Sequence, residues 1–204
     1  MIDAKFYALF SDIGGVLGTN GWDASVRKKL TQHFRIDYEE IDARHHLMFD
    51  SYERGYMRFE DYLRHVFFAS PRNFTVEEVR DFTYEQSVAW PENIEMLKRV
   101  KIANGLKLGL ISNEGQGITE HRIRKFGLRD IADFLVISHF VHFRKPDREI
   151  WELALHLAQA KPSESIYIDD REMFVNAATE IGFTAIHHVS LENTRARFRE
   201  LGLR

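Results

Sequence analysis

The stretch Tyr7-Ala8-Leu9-Phe10-Ser11-Asp12-Ile13-Gly14-Gly15-Val16-Leu17 decides how this chain is read. It is an apolar run that ends in one carboxylate and then two glycines. A strand buried on both faces needs such continuous apolarity, and paired glycines mark a sharp backbone turn. The segment predicts a buried strand that delivers Asp12 to the edge of a sheet. A carboxylate there can be a metal ligand, a nucleophile or a turn-former, and three later segments discriminate among these.

Past the glycines the hydrophobic period changes. From residue 23 to about residue 87 no strand pattern appears. Val26, Leu30 and Phe34 recur at helical spacing, then Ile41, His45 and Met48, then Tyr62, Val66 and Phe67. Asp23 is placed as an N-cap, Asp61 lies near another helix start, and Gly55 and Pro71 punctuate the run. This reads as a block of about four helices, rich in aromatics. From Pro91 onward strands and helices alternate. Ile94, Leu97 and Val100 predict a helix that stops before Gly105, and Leu106 to Ile111 a strand. Ile123 and Phe126 lie on a helix ending at Gly127, and Phe134 to Ile137 is a strand. Ile150, Leu153, Ala154, Leu157 and Ala158 form the cleanest helical stripe. Ile166-Tyr167-Ile168 is a strand, Val175 to Ile181 a helix closed by Gly182, and Ala185-Ile186 a last strand.

That alternation predicts an α/β fold, a Rossmann-like parallel sheet covered by helices on both faces. The first strand belongs to this sheet. Residues 1–19 and 88–204 then form the core, and residues 20–87 a helical domain inserted after strand 1. Ligands in such sheets bind outside the carboxyl ends of the strands, so the chemistry is sought there.

Strand one ends at Asp12, and Leu108-Gly109-Leu110-Ile111 ends at Ser112-Asn113. A loop before the striped helix carries Arg144-Lys145-Pro146-Asp147, and Ile166-Tyr167-Ile168 ends at Asp169-Asp170. Singly, each has a structural explanation: a turn, a helix cap, a proline in a first helical turn, an acidic N-cap pair. Together they place three carboxylates, a hydroxyl with an amide, and one cation at one rim of one sheet. Clustered carboxylates need a cation, and an all-oxygen set suits Mg²⁺. Lys145 with Ser112 and Asn113 can neutralise phosphate oxygens, and a carboxylate in line with phosphorus can attack it.

With those segments in order, the chain resembles the haloacid dehalogenase superfamily of Asp-nucleophile hydrolases along essentially its whole length. Asp12-Ile13-Gly14-Gly15-Val16-Leu17 is similar to motif I and Leu110-Ile111-Ser112-Asn113 to motif II. Lys145-Pro146 is similar to motif III and Tyr167-Ile168-Asp169-Asp170 to motif IV. The helical insertion resembles the C1 cap of subfamily I. The resemblance implies a Mg²⁺-dependent phosphatase that acts on a small phosphorylated metabolite through an aspartyl-phosphate. It implies Asp12 as nucleophile and metal ligand, with Gly14 lending its backbone carbonyl to the metal. Asp170 is the expected motif IV ligand, and Asp169 ligates or orients bound water. Ser112 and Asn113 hold the phosphoryl oxygens, and Lys145 balances the carboxylate charge.

Gly14 is a departure from the family pattern. Family phosphatases usually carry there a second Asp, which protonates the leaving oxygen. General acid–base help contributes about 10²–10⁴ in rate, so Gly14 favours substrates with good leaving groups: a sugar 1-phosphate, an acyl phosphate or an aryl phosphate. A family branch with a similar Asp-x-Gly motif includes an α-D-glucose-1-phosphate phosphatase. Thr19, Glu114, His45 and His46 are candidate replacement acids. Trp22, Phe49, Tyr52, Tyr56 and Phe59 either line a pocket or pack a helical core.

Two other readings compete. A 2-haloacid dehalogenase also lacks the second Asp, but needs no metal and leaves Asp169-Asp170 unexplained. A phosphate-binding interaction module on the same scaffold would account for Gly14, but not for the retained acids and Lys145.

The 204-residue chain is 44% hydrophobic and 29% charged, an ordinary globular composition. Its 28 Lys plus Arg against 31 Asp plus Glu leave a formal charge of -3, with no general attraction to nucleic acid or anionic membrane. Arg195, Arg197, Arg199 and Arg204 form a basic cluster that Glu192 and Glu200 interrupt, as on a solvated helix face. The absence of cysteine excludes disulfides and thiolate chemistry. With Asp3 and Lys5 ahead of a short apolar run and no membrane-length stretch, the expected location is cytoplasmic. The sequence does not choose between a monomer and a homodimer.

Overall fold

A computed structural model describes residues 6–204, so the reading of Asp3 and Lys5 lies outside the described residues. Five strands are present: β1 (Ala8–Ser11), β2 (Lys107–Ser112), β3 (Phe134–Ile137), β4 (Ser165–Asp169) and β5 (Thr184–His187). They form one parallel sheet of order β3-β2-β1-β4-β5. The chain is thus an α/β protein with a Rossmann-like sheet. β1 lies at the centre, with Ser11 aligned to Leu110 on one side and Ile168 on the other. The carboxyl ends of β2, β1 and β4 therefore stand side by side. Strand order reverses between β1 and β4, and the crevice above that reversal is where such sheets take ligands.

Alternate strand residues feed two separate cores, as the two-residue period of a strand requires. Leu9, Leu108, Leu110, Ile166 and Ile168 pack on one face. They meet α5 (Pro91–Asn104), α6 (Ile118–Lys125) and, near the end of the chain, α10 (Leu191–Glu200). Phe10, Ile111, Val136 and Tyr167 point to the other face, against α8 (Arg148–Ala158) and α9 (Glu172–Ile181). A short helix, α7 (Ser138–Val141), follows β3. The expected strand at 106–111 lies one residue later, so Ser112 is itself the last residue of β2.

Between β1 and α5 the chain is helical: α1 (Ala24–Phe34), α2 (Tyr38–Glu53), α3 (Phe59–Phe67) and α4 (Val76–Glu85). These helices enclose a third core of Leu30, Ile41, Tyr52, Phe59, Tyr62, Leu63, Val66, Phe67 and Val79, joined by Ile118 of α6. Asp23 caps α1 as expected, accepting from Val26 N at 2.9 Å. Asp61 lies inside the first turn of α3, where it suits the positive end of the helix. The two ends of the block are tied together. Thr19 N donates to Val88 O (2.9 Å), Val88 N to Thr19 Oγ1 (3.0 Å), and Thr19 Oγ1 to Gln86 O (2.7 Å). On α10, Arg199 pairs with Glu192 at 2.8 Å and Arg197 with Glu200, the solvated face expected of that cluster. No helix among the described residues is long and apolar enough to cross a membrane.

Candidate active site

The local explanations for the strand-end residues do not hold. α6 starts at Ile118 behind Gly117, so neither Ser112 nor Asn113 caps it. Pro146 precedes the N-cap Asp147 and stands outside α8. Arg171, not the acidic pair, is the N-cap of α9.

Asp12, Gly14, Ser112, Asn113 and Lys145 instead line one cleft between the sheet rim and the helical block, with Asn20, Trp22, Asp23, Tyr52, Glu53, Glu114, Arg122, Arg144 and Arg171. Its accessible space is about 70 Å³, room for a few water-sized groups at ~10–15 Å³ each. At its floor one ammonium meets two carboxylates. Lys145 Nζ lies 3.2 Å from Asp12 Oδ1 and 2.7 Å from Asp169 Oδ2. Lys145 is 1% exposed and Asp169 fully buried, so this is a charge cluster held out of water. Burial alone would push the Lys145 ammonium down, but Asp12 and Asp169 outweigh it and hold it above its usual range. Burial pushes the Asp12 carboxyl up; Lys145 opposes this and Asp169 adds to it.

The three acids differ in what their oxygens already do. Both oxygens of Asp169 are hydrogen-bonded. Its Oδ2 accepts from Lys145 Nζ and the Tyr167 hydroxyl, and its Oδ1 from Arg171 N at 2.9 Å. Asp12 Oδ1 accepts from Ile13 N at 2.8 Å, and this bond and the Ser112 hydroxyl both work against the rise of the carboxyl. Asp170 Oδ2 accepts from Asn20 Nδ2 at 3.3 Å, while its buried Oδ1 has no partner among the described residues. Burial and the charge of Asp12 together raise the Asp170 carboxyl.

A divalent cation fits this arrangement. One oxygen from each of Asp12, Asp169 and Asp170 lies within 4.8 Å of the others. Three carboxylates against the Lys145 ammonium leave a surplus of negative charge that Arg171 eases only at Asp170, and the buried Asp170 Oδ1 has no partner among the described residues. The donors are all oxygen, which suits Mg²⁺.

Asn113 lines the cleft, but both ends of its carboxamide are committed. Nδ2 donates to Lys145 O at 2.8 Å, and Oδ1 accepts from Lys145 N at 2.7 Å. Its side chain thus clamps the backbone that carries Lys145. Two of the lining residues form an ion pair at the end of α2, Arg144 Nη2 with Glu53 Oε2 at 2.6 Å, and next to them in sequence Arg54 Nη1 pairs with Asp147 Oδ2 at 2.7 Å.

The four candidate replacement acids separate clearly. Thr19 is spent on the tie between the ends of the helical block. His45 Nδ1 and Trp22 Nε1 both lie 2.7 Å from the Tyr62 hydroxyl. The indole can only donate, so the single Tyr62 proton goes to His45 Nδ1. Burial holds His45 down at about 3, so it is neutral and has no proton to lend. His46 is exposed and faces Asp42 at 3.3 Å. Glu114 alone lines the cleft, 7% exposed and paired with Arg122. The aromatic group divides too. Trp22 and Tyr52 line the cleft, Phe49 lies under the Arg144 guanidinium, Phe59 is core, and Tyr56 is exposed against His142.

The haloacid dehalogenase-like hydrolase family model matches residues 24–187, which include the strand ends of β2 and β4 and the Lys145 loop. The chain belongs to this family. A member of the same fold from Bacteroides thetaiotaomicron, described as a HAD family enzyme in magnesium complex, superposes with a TM-score of 0.80 over 96% of this chain and 99% of that one, at 19% identity. The L-2-haloacid dehalogenase RSc1362 shares the fold with a TM-score of 0.67 over 92% and 88%, at 20% identity. In sequence, the Escherichia coli pyrimidine 5'-nucleotidase YjjG is 34% identical over 68 residues, 33% of this chain. The stretches matched in the curated relatives span 29% to 44% of their own lengths. The family match begins after Asp12, so the place of that carboxylate in this HAD-like hydrolase rests on geometry: Ile168 O accepts from its backbone N at 2.8 Å, which sets it beside Asp169.

Asn20, Glu114 with Arg122, Tyr167, Arg144 with Glu53, and Arg171 were not identified as site residues from the sequence, apart from Glu114 as a candidate acid. Arg144 and Glu53 lie 91 positions apart, so local pattern carries no signal for that pair; Arg122 stands eight positions after Glu114, and Tyr167 and Arg171 each stand two positions from Asp169, with no motif to mark them. Asn20 is the exception, since it sits in the Gly18-Thr19-Asn20-Gly21 turn directly after the glycine pair.

Proposed function

We propose that this hydrolase is a Mg²⁺-dependent phosphatase of small phosphorylated metabolites in which Asp12 is the nucleophile. The observation that carries the reading is the charge imbalance on the cleft floor, where Asp12 lies beside Lys145, Asp169 and Asp170. Asp12, the Gly14 carbonyl and Asp170 would hold the cation, with Asp169 holding Lys145 and orienting ligand water. When bound, Mg²⁺ supplies Lewis-acid neutralisation of the phosphoryl oxygens.

The protein's own groups do the rest. Lys145 and Ser112 draw the phosphoryl group over Asp12, and Asn113 contributes by fixing the Lys145 backbone. The Asp12 carboxylate attacks phosphorus, the bond to the leaving oxygen breaks, and an aspartyl-phosphate forms. Water then attacks the same phosphorus and frees Asp12. Gly14 lends no proton to the leaving oxygen, so substrates whose leaving group departs as an anion are preferred: sugar 1-phosphates, acyl phosphates or aryl phosphates. The small cleft agrees with a phosphoryl group on a compact partner.

Phosphate release from matched sugar 1- and 6-phosphates, with Mg²⁺ and with EDTA, tests the reading. The 1-phosphate is turned over at least about tenfold more efficiently, a difference of roughly 1.4 kcal/mol in barrier, and EDTA abolishes both activities. Equal efficiencies overturn the leaving-group preference. Halide release from a 2-haloacid that survives EDTA overturns the phosphatase reading in favour of dehalogenation.

A further inference from the structure

Gly14 and Gly15 are adjacent, but they are glycines for different reasons. Gly15 adopts φ +67°, and a Cβ there would meet Asp170 Oδ2 at 2.0 Å. Both its backbone and its neighbour forbid a side chain. Gly14 has no positive φ, so its backbone would accept any residue. The obstacle is Asn20, whose Oδ1 lies 2.6 Å from where a Gly14 Cβ would be. The space beside Asp12 that a side chain at position 14 would enter is filled from the turn six residues later.

The other end of that carboxamide reaches Asp170. Asn20 Nδ2 donates to Asp170 Oδ2 at 3.3 Å. An ionised carboxylate can only accept, so the amide nitrogen must face Asp170 and the amide oxygen must face Gly14. Pinning Oδ2 leaves the buried Oδ1, without a partner among the described residues, as the oxygen open to a cation. Asn20 itself lines the cleft.

We propose that Asn20 is a positioning residue for the cation site: it occupies the space left at Gly14 and fixes the Asp170 carboxylate so that Oδ1 is presented. Gly14 and Asn20 thus form one unit. This inference rests on the proposed Mg²⁺ site and extends it to a residue that touches no reacting atom.

The test is titration calorimetry of the whole chain with magnesium chloride and no substrate, on wild type, Asn20→Ala, Gly14→Ala and the double variant. Asn20→Ala weakens Mg²⁺ binding about tenfold, the lower end of what loss of a partner behind a metal ligand costs. Gly14→Ala weakens it to a similar degree, because its new methyl displaces Asn20. The double variant is no worse than either single one, because both remove the same contact. Activity of Asn20→Ala shows the same split: half-saturation moves to higher Mg²⁺, while turnover at saturating Mg²⁺ recovers. A folded Asn20→Ala that binds Mg²⁺ like wild type, or a double variant whose loss is the product of the two single losses, overturns the proposal. If Asn20→Ala does not fold, Asn20→Ser, too short to reach Asp170, carries the same expectation. Absence of Mg²⁺ binding in wild type overturns the metal reading itself, whereas binding in wild type that is unchanged in Asn20→Ala overturns this proposal alone.

Discussion

In the helical block, Trp22 donates to Tyr62 and Tyr62 donates to a neutral His45, so three polar groups satisfy one another in an aromatic core. At the strand ends, Asp12 and Asp170 sit partly or wholly out of water with raised carboxyls, and Asp170 Oδ1 has no partner among the described residues. Both regions bury polar atoms. One closes its network, and the other leaves charge and acceptors unspent. Unspent groups at a rim that is otherwise well packed are the mark of a site, because they cost stability unless something binds.

Substitutions separate the two regions. Asp12→Asn removes the nucleophile and one of three repelling carboxylates. Phosphatase turnover then falls by at least about 10⁴, roughly 5 kcal/mol of barrier, while the melting temperature in EDTA holds or rises. A fall in melting temperature would show that Asp12 is structural, like the residues of the helical block. Lys145→Met leaves Asp169 buried with no cation and should cost about 3–5 kcal/mol in chemical denaturation at neutral pH. The loss shrinks on acidification as the Asp12 carboxyl, already raised, takes up a proton. In the helical block, Tyr62→Phe strands the indole N–H of Trp22 and Nδ1 of His45, costing about 1–3 kcal/mol with the Mg²⁺ affinity unchanged.

The smallest effect is a pH dependence. His45 is held at about 3 in the fold against 6.5 for a free imidazole. Its folded pKa is depressed, so the unfolded chain binds its proton first as pH falls. The stability His45 gives is full above pH 6.5 and is lost between pH 6.5 and about 3. Thermal melts of wild type and His45→Gln at neutral pH and near pH 4.5 should show the wild-type advantage narrowing by a few degrees in acid. An advantage that does not change with pH would mean that His45 titrates normally.

The fold was legible because its signals are local. The apolar run Ile166-Tyr167-Ile168 and the stripe Ile150, Leu153, Ala154, Leu157 and Ala158 lie in a strand and a helix as expected, and only Leu157 of them is exposed. The strand ends were legible as a set, since parallel order alone brings Asp12, Ser112 and Asp169 to one rim. Side-chain assignments inside the rim were not. Asn113 reads as a phosphoryl donor, yet its carboxamide clamps Lys145, a contact across 32 positions. Gly14 reads as a missing acid, but its space is held by Asn20, whose other partner lies 150 positions away. Pairings that far apart leave no mark on hydrophobic period or turn composition.

The central claim, that Asp12 attacks phosphorus, is tested most directly by acid-quenching wild type during turnover of a sugar 1-phosphate carrying a radiolabelled phosphoryl group, then mapping the label by peptide. The account predicts label on the peptide containing Asp12, dependent on Mg²⁺ and absent in Asp12→Asn. Steady release of phosphate with no labelled protein, or with label on another residue, would contradict it.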